Sequence, residues 1–326
     1  TGDASLSKRP MNRVADPLRE MGAVIESAEN GRPPLKIKGA QPLKGIHYVL
    51  PMASAQVKSC LILAGLYAEG ETTVIEPAPT RDHTERMLKG FGYPVEVDGP
   101  KVTVRPGGKL TATAIDVPSD ISSAAFFMVA ASIAKDSDIT LQHVGINPTR
   151  VGVINILRLM GANIDMLNER EVGGEPVADL RIRSAQLKGI QIPEDQVPLA
   201  IDEFPSIFIA AACAEGTTVL TGAEELRVKE SDRIQAMVDG LQILGVDALG
   251  TEDGAIIKGF GSEGSFKGGE VDSVDDHRIA MSFTIASLRA SAAILVKDCA
   301  NVATSFPGFV ELASGSGIQV EAKSAE

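Results

Sequence analysis

A helix, a glycine and a strand follow one another five times along this chain, and this repeat constrains the fold more than any other feature. The glycines lie roughly 70 to 84 residues apart, at Gly22, Gly92, Gly161, Gly245 and Gly317. Each follows a helical segment such as 156–160 and precedes a stretch rich in apolar residues. Glycine is common just past a helix end because it adopts the left-handed backbone without strain. We therefore predict an α/β protein built from repeated units.

Each unit also contains a second helix of small apolar residues, opened by a polar residue and followed by a strand. The copies are 54–67 before 72–75, 122–134 before 139–141, 207–214 before 217–220, and 277–288 before 293–296. Residues 124–134 are apolar almost all round, and such a helix must be buried on every side. The prediction is helices inside and strands outside, the reverse of a doubly wound sheet. An open solenoid of stacked units is the alternative.

The length of the chain predicts two domains. Its 326 residues exceed what one hydrophobic core ordinarily serves. The repeat begins again at 119–123, so we place the boundary near Pro118. The first domain is then 1–117, and the second is 118–326 with three units.

The charge balance limits the kinds of partner. The formal net charge is -12, with 31 Lys and Arg against 43 Asp and Glu. This balance argues against nucleic acid or an anionic membrane as a partner, so an anionic ligand should be a small molecule held by local cations. Cys60, Cys213 and Cys299 lack metal-ligand spacing. We expect buried reduced thiols, no metal site and a cytoplasmic location.

The densest charge lies in Arg227–Arg233, with the sequence Arg-Val-Lys-Glu-Ser-Asp-Arg, directly before an apolar helical run. Ser231 or Asp232 can cap this helix. The positive end of the helix dipole would then add to Lys229 and Arg233 as an anion site, for which a phosphate or carboxylate is the natural ligand. The alternative is a solvated, salt-bridged start of a helix.

Two polar stretches in the first domain also precede predicted helices. Ser54 and Gln56, in Pro-Met-Ala-Ser-Ala-Gln, offer a hydroxyl and an amide to a polar ligand. Arg81, in Thr-Arg-Asp-His-Thr-Glu-Arg, adds a cation. The structural alternatives are a helix cap at Ser54 and plain surface at the other two positions.

Two more polar stretches belong to the second domain. Asp202 and Glu203 lie between apolar neighbours before a buried helix, so desolvation could tune one carboxylate for proton transfer. Alternatively, Asp202 only caps that helix. Residues 275–278, Asp-Asp-His-Arg, precede another Ala-rich helix. A histidine in such a setting is more often structural than a metal ligand.

Taken together, these motifs resemble one enzyme family. Its members are 3-phosphoshikimate 1-carboxyvinyltransferases, or EPSP synthases, and their motif order and approximate spacing match 9–11, 51–58, 80–85, 202–203, 227–233, 276–281 and 304–307. Pro-Met-Ala-Ser-Ala-Gln with Thr-Arg-Asp-His-Thr resembles the bacterial class II branch. The resemblance extends from Thr1 to about Val320. It implies a two-domain inside-out α/β barrel, with helix starts of both domains directed at the cleft between them.

The resemblance also implies a reaction and a set of site residues. The family transfers the enolpyruvyl group of phosphoenolpyruvate to the 5-hydroxyl of shikimate 3-phosphate, in aromatic amino-acid biosynthesis, without a metal or organic cofactor. The shikimate 3-phosphate site would be lined by Ser54, Ala55, Gln56, Arg81, Asp202 and Lys229. Phosphoenolpyruvate would be held by Arg9, Gln56, Arg233 and Arg278. The base at the hydroxyl and the acid at the methylene carbon would be Asp202 and Glu230.

The sequence departs from the family pattern at its beginning. Full-length members start well upstream, with a Pro-Gly-Ser-Lys-Ser or Pro-Gly-Asp-Lys-Ser stretch whose lysine lies between the two substrates. Neither stretch occurs here, and Thr304 stands where many class I members have a lysine. We expect an N-terminal segment or a fused upstream domain to complete the enzyme. The alternative function is a ligand-binding half or incomplete fragment that needs this segment in trans.

Overall fold

The computed structural model describes residues 6–323, and the chain forms two compact units. The first comprises 1–116 with 171–175, and the second comprises 117–170 with 176–326. The division lies beside Pro118. The short segment 171–175 belongs to the first unit, where Nδ1 of His83 is 2.7 Å from Oε1 of Glu175. The sequence pattern gives no indication of this exchange.

Among its described residues, the first unit contains three α-helices and two sheets. The helices are α1 (Asn12–Glu20), α2 (Ala55–Gly65) and α3 (His83–Gly90). The strands are β1 (Val24–Ser27), β2 (Leu35–Lys38), β3 (His47–Val49), β4 (Thr72–Ile75), β5 (Val95–Asp98) and β6 (Lys101–Val104). β1 pairs with β2, and the other four form a sheet in the order β3-β4-β6-β5. Leu61 and Ile62 of α2 are fully buried, as is Val74 of β4, in the core of this unit.

The second unit contains the remaining elements. Its helices are α4 (Ile121–Ile133), α5 (Gly152–Leu159), α6 (Phe204–Cys213), α7 (Arg233–Ile243), α8 (His277–Ala286), α9 (Val302–Ser305) and α10 (Phe309–Gly315). Its strands are β7 (Asp138–Gly145), β8 (Asn163–Val172), β9 (Glu175–Arg183), β10 (Glu215–Leu220), β11 (Asp247–Gly250), β12 (Ala255–Phe260), β13 (Gly269–Asp272) and β14 (Ile294–Lys297). They form three sheets, ordered β7-β9-β8, β10-β12-β11 and β13-β14.

Three helices, α4, α6 and α8, occupy the middle of the second unit, and each contacts the other two. Every residue of α6 is buried, and Ser123 is the one residue of α4 that is not. Contact between α4 and α8 joins the first and third repeats of this unit, which an open solenoid would keep apart. The predicted arrangement, with helices inside and strands outside, is confirmed.

The five repeated glycines end their helices in the same way. All have a positive φ, of 102°, 76°, 96°, 84° and 98° in chain order. At each one the next residue donates its N–H to the carbonyl five positions back, as Ala23 does to Leu18 and Ile318 to Ala313. The glycine N–H itself bonds three positions back. This pair of bonds is the Schellman motif, so the predicted helix ends are confirmed at all five glycines. A strand follows the first four glycines, but none follows Gly317 among the described residues, so the predicted fifth strand is wrong there.

The lengths of the apolar helices and the burial of the three cysteines bear on the expected location and on the expected state of the thiols. No helix within residues 6–323 is long and apolar enough to cross a membrane. Cys213 is buried, and burial raises the pKa of its thiol to about 12. Cys60 is partly buried, whereas Cys299 is exposed because it lies in the turn after β14. The expectation of a buried thiol is therefore wrong for Cys299, and the cytoplasmic location stays a prediction.

Candidate active site

The segment Arg227–Arg233 turns its last charge inward. Asp232 caps α7, and its Oδ1 accepts a hydrogen bond of 3.0 Å from the N–H of Gln235. Arg233 is the first residue of the helix, yet its side chain is only 2% exposed. The alternative of a solvated helix start is therefore wrong for Arg233, although the stretch is salt-bridged as that alternative holds, with Arg227 paired to Asp232 and Lys229 to Glu225. An arginine is almost never buried in this way unless carboxylates surround it.

Three carboxylates surround the Arg233 guanidinium. Nε donates to Oδ2 of Asp276 at 2.8 Å, and Nη2 donates to Oε2 of Glu230 at 2.6 Å. Nη1 lies 3.7 Å from Oδ1 of Asp202, beyond hydrogen-bond distance. Ser231 adds a hydroxyl that donates to Asp276 at 3.0 Å. Arg233 thus links the two residues predicted to be catalytic, Asp202 and Glu230.

Asp276 is completely buried and holds two helix starts together. It caps α8, where Oδ1 accepts the N–H of Arg278 at 2.9 Å, while its other bonds go to the start of α7. Burial, the largest single cause, would raise the pKa of Asp276, and the charge and hydrogen bonds of Arg233 act against it. The Arg278 N–H and the Ser231 hydroxyl add to the same side, and the pKa is lowered.

Asp202 faces two cations. Its Oδ1 is 3.4 Å from Nζ of Lys229 and 3.7 Å from Nη1 of Arg233. Asp202 does not cap α6, because Glu203 occupies the cap position and makes no capping hydrogen bond with its side chain. The structural alternative for Asp202 is therefore wrong. Its carboxylate is 17% exposed, which leaves it reachable by a ligand.

Glu203 is a second, more deeply buried carboxylate at the same place. It accepts the Ser122 hydroxyl at 2.5 Å, and Oε1 lies 3.5 Å from Nη2 of Arg150 and 3.7 Å from Nη1 of Arg278. Arg278 Nη1 also donates to the carbonyl oxygen of Asp202 at 3.0 Å. Glu203 therefore lies where α4, α6 and α8 all begin. Its negative charge interacts favourably with the positive ends of the three helix dipoles.

The sequence reasoning missed Ser122 and Arg150 and did not separate Glu203 from Asp202. A usable signal was present, because both missed residues lie close to the starts of apolar helices, as the predicted site residues do. Their convergence on Glu203 is not visible in the sequence, since Ser122 and Glu203 are 81 positions apart.

His277 lies between two charged site residues. Burial lowers the pKa of its imidazole, and the positive charge of Arg278 lowers it further. The neighbouring Asp276 and Glu230 act in the opposite direction without reversing the shift. Across the part of the chain that the structure describes, no group of His, Cys, Asp or Glu is arranged to hold a metal ion.

In the first unit, the predicted residues also lie at helix starts. Ser54 caps α2 by accepting the N–H of Val57 at 3.4 Å, so the capping interpretation is confirmed. Its hydroxyl donates to Oε1 of Gln56 at 3.3 Å, and Ala55 begins the helix. Arg81 lies just before α3 and Arg9 just before α1, and each is partly buried. Substrate roles for these five residues stay predictions.

The closed set of inner helices, with sheets outside and polar groups at helix starts, defines the enolpyruvyl transferase fold. The enolpyruvyl transferase NikO from Streptomyces tendae superposes with a TM-score of 0.77 over 98% of this chain and 74% of its own. Its sequence identity is 17%, so this likeness concerns the fold alone.

The sequence comparisons are more specific. The family model for EPSP synthase (3-phosphoshikimate 1-carboxyvinyltransferase) matches residues 1–312. A 3-phosphoshikimate 1-carboxyvinyltransferase from Methylococcus capsulatus is 69% identical over 98% of this chain and 72% of its own length. An EPSP synthase structure from Acinetobacter baumannii is 63% identical, with a TM-score of 0.92 over 98% of this chain and 74% of that one. The chain belongs to the EPSP synthase family, as its motifs predict.

Proposed function

We propose that this chain catalyses transfer of the enolpyruvyl group of phosphoenolpyruvate to the 5-hydroxyl of shikimate 3-phosphate, with release of phosphate. One observation carries the assignment to this site: Arg233 links Asp202 and Glu230 in a chain of this family. Lys229 and Arg278 adjoin the same network. Both substrates are anions, and the two carboxylates supply the proton-transfer groups that the reaction needs.

The reaction is an addition followed by an elimination. In the addition, Asp202 accepts the proton of the 5-hydroxyl while the hydroxyl oxygen bonds to C2 of phosphoenolpyruvate. Glu230 protonates the methylene carbon. In the elimination, the methyl carbon returns a proton to Glu230, its double bond to C2 forms again, and the C–O bond breaks so that phosphate leaves. The side chain of Glu230 is 35% exposed and one of its oxygens is held by Arg233, so the group is both oriented and accessible.

The cations are proposed to bind phosphoenolpyruvate and to stabilise the departing phosphate. Of the Arg233 nitrogens, Nε and Nη2 donate to carboxylates, while Nη1 lies 3.7 Å from Oδ1 of Asp202, beyond hydrogen-bond distance. We therefore assign Nη1 as the nitrogen that contacts this substrate. Arg278 contributes a second guanidinium, with one nitrogen bound to a backbone carbonyl. Fixed cations of this kind stabilise developing charge without the reorganisation that water requires.

The residues at helix starts of the first unit are assigned to the same two substrates. Ser54, Ala55, Gln56 and Arg81 would bind shikimate 3-phosphate, because the open N–H groups of a helix start and a guanidinium both suit a phosphate. Arg9 would assist with phosphoenolpyruvate, together with Gln56. An N-terminal segment as a further contributor remains a prediction.

The direct test is release of phosphate by the protein expressed from its complete gene. Release should require both shikimate 3-phosphate and phosphoenolpyruvate, and one enolpyruvyl product should form for each phosphate. Omitting either substrate is the control. Phosphate release with phosphoenolpyruvate alone would contradict the proposal, because it would identify a hydrolase.

A further inference from the structure

One buried cation of the first unit has no part in the proposed reaction. Lys58 lies on α2, one turn after Ser54, and is 1% exposed. Its Nζ is 3.1 Å from both carboxylate oxygens of Glu76 and 2.7 Å from Oε1 of Glu85. Its ammonium group is thus occupied by two carboxylates and is nearly closed off from solvent. Its contacts connect three segments: α2, the residue after β4, and α3.

The contacts of this cluster continue to two predicted substrate residues. The N–H of Lys58 donates to the carbonyl of Ser54 at 3.1 Å. On the other side, Oε1 of Glu76 accepts the hydroxyl of Thr80, the residue directly before Arg81. A continuous series of bonds therefore runs from the cap of α2 to the residue that carries Arg81 into the start of α3.

The cluster is a poor device for stability alone. It contains one cation and two carboxylates, and Oε2 of Glu85 is buried without a hydrogen-bond partner among the described residues. Burying charges is costly, and apolar residues of similar size often stabilise a fold as well or better. What a buried ion pair can provide instead is one defined arrangement of the segments that it joins.

Two kinds of bond at Glu76 hold the segment after β4: its backbone N–H donates to the carbonyl of Pro100 at 2.9 Å, and its carboxylate accepts from Lys58. A cavity of about 590 Å³ adjoins it, lined by residues that include Lys58, Glu76, Thr80 and Glu85. Packing therefore leaves space on this side of the segment, into which the chain could shift. The side-chain bonds of Glu76 restrain this segment from the other side, and Lys58 holds that carboxylate in place.

We propose that Lys58 is a positioning residue of the shikimate 3-phosphate site, which acts through Glu76 and Thr80 to fix Arg81 relative to the start of α2. The inference rests on the proposed function, which assigns Ser54 and Arg81 to that substrate. Lys58 orients the binding groups without contacting the ligand.

The first experiment separates the two substrates. Lys58→Met, made in the protein expressed from its complete gene, should raise the KM for shikimate 3-phosphate about tenfold or more. The KM for phosphoenolpyruvate should change by less than about threefold, and kcat should fall less than the affected kcat/KM. A purely structural defect would instead lower the active fraction and leave both KM values unchanged.

The second experiment uses a matched pair that removes one hydroxyl each. Thr80→Val breaks the bond to Glu76 and should raise the same KM, by less than Lys58→Met does. Thr84→Val removes the nearby bond from Thr84 to the hydroxyl of Ser59, 2.7 Å long, which does not involve Lys58. It should leave both KM values near those of the parent protein.

Two results would overturn the inference. One is an equal rise in both KM values for Lys58→Met, and the other is an equal effect of Thr80→Val and Thr84→Val. Arg81→Ala tests the underlying assignment separately. If it raises the KM for shikimate 3-phosphate while Lys58→Met does not, only the positioning role is wrong. If Arg81→Ala has no effect, the role proposed for Arg81 is wrong.

Discussion

The two units each bury one cation among carboxylates, and the two clusters differ in how completely their charges are matched. Around Arg233, the fully buried Asp276 also accepts bonds from Ser231 and from a backbone N–H. Around Lys58, one oxygen of Glu85 has no hydrogen-bond partner among the described residues. A guanidinium offers a planar fork of donors, whereas an ammonium acts as a point charge. The Arg233 cluster can therefore hold several groups at fixed angles, as the orientation of catalytic side chains requires. The Lys58 cluster fixes the distances between the segments that it joins.

The largest effect should come from breaking the buried pair around Arg233. Asp276→Asn leaves that guanidinium without its fully buried partner charge and should lower the free energy of unfolding by about 3 to 5 kcal/mol, measured by denaturant titration at pH 7. Glu85→Gln is the matched substitution at Lys58, because the amide oxygen can still accept from Nζ. It should cost clearly less, and equal losses would remove the distinction between the two clusters.

The ion pair between Arg233 and Asp276 should also make the stability of the protein depend on pH in strong acid. Burial raises the pKa of Asp276, but Arg233, the Arg278 N–H and the Ser231 hydroxyl together outweigh it, so the folded-state pKa lies below the ordinary 3.8. The stabilisation is therefore present above pH 3.8 and is lost as the pH falls through the lowered pKa. The stability difference between the parent protein and Asp276→Asn should shrink in strong acid. A difference that stays constant down to that range would contradict the charge argument.

The next largest effect should be on turnover. Asp202→Asn keeps the shape of the side chain but cannot accept the hydroxyl proton, so kcat should fall about a hundredfold or more, with a much smaller change in KM. Steady-state phosphate release measures both quantities. Asp195 is exposed and, like Asp202, precedes α6. Asp195→Asn is therefore the control and should leave kcat and KM unchanged. Unchanged kcat with a raised KM would reduce Asp202 to a binding residue.

A smaller effect should separate the buried charges of the two units by substrate. Glu203→Gln removes the buried charge beside Arg278 and should raise the KM for phosphoenolpyruvate roughly tenfold. Lys58→Met should affect the other substrate, so the two variants give opposite patterns. Glu225→Gln, an exposed partner of Lys229 at 2.5 Å, is the control and should change either KM by less than about threefold. If Glu203→Gln and Lys58→Met gave the same pattern, the comparison would fail.

The smallest effect should appear at mildly acidic pH. Burial, assisted by Arg278, lowers the pKa of His277 below 6.5, so the unfolded chain takes up this proton first. Stability should then fall as the pH drops below about 6.5 toward the folded-state pKa. His277→Gln should flatten this part of a plot of Tm against pH. His47→Gln, on exposed β3, should not, and identical slopes for all three proteins would refute the assignment.

Local sequence predicted the parts of the molecule that local bonds build. The helix ends at the five glycines and the cap at Ser54 depend on residues within five positions, and both followed from the sequence. Dense charge before an apolar run also drew attention to Arg233, whose side chain is buried among carboxylates. Lys58 gave no such signal, because it is a single cation in a helix whose partner Glu76 is 18 positions away.

Long-range placement could not be predicted for a related reason. Glu203 acquires its role from Ser122 and Arg278, which are 81 and 75 positions away in opposite directions. The assignment of 171–175 to the first unit is similar, since a turn between two strands gives no sign of its destination. The family resemblance provided the overall fold, but it gave no role to Lys58, Glu76 or Glu85.

The five identical helix ends also bear on the order in which the chain folds. Each closes over six residues, so its loop entropy is small and it can form early, independently of the other four. The bond between Arg233 and Asp276 spans 43 positions and requires two repeats to dock first. We therefore expect native helix ends in partly folded chains that still lack the Arg233 network. Enzymatic activity would then appear only in the last stage of refolding.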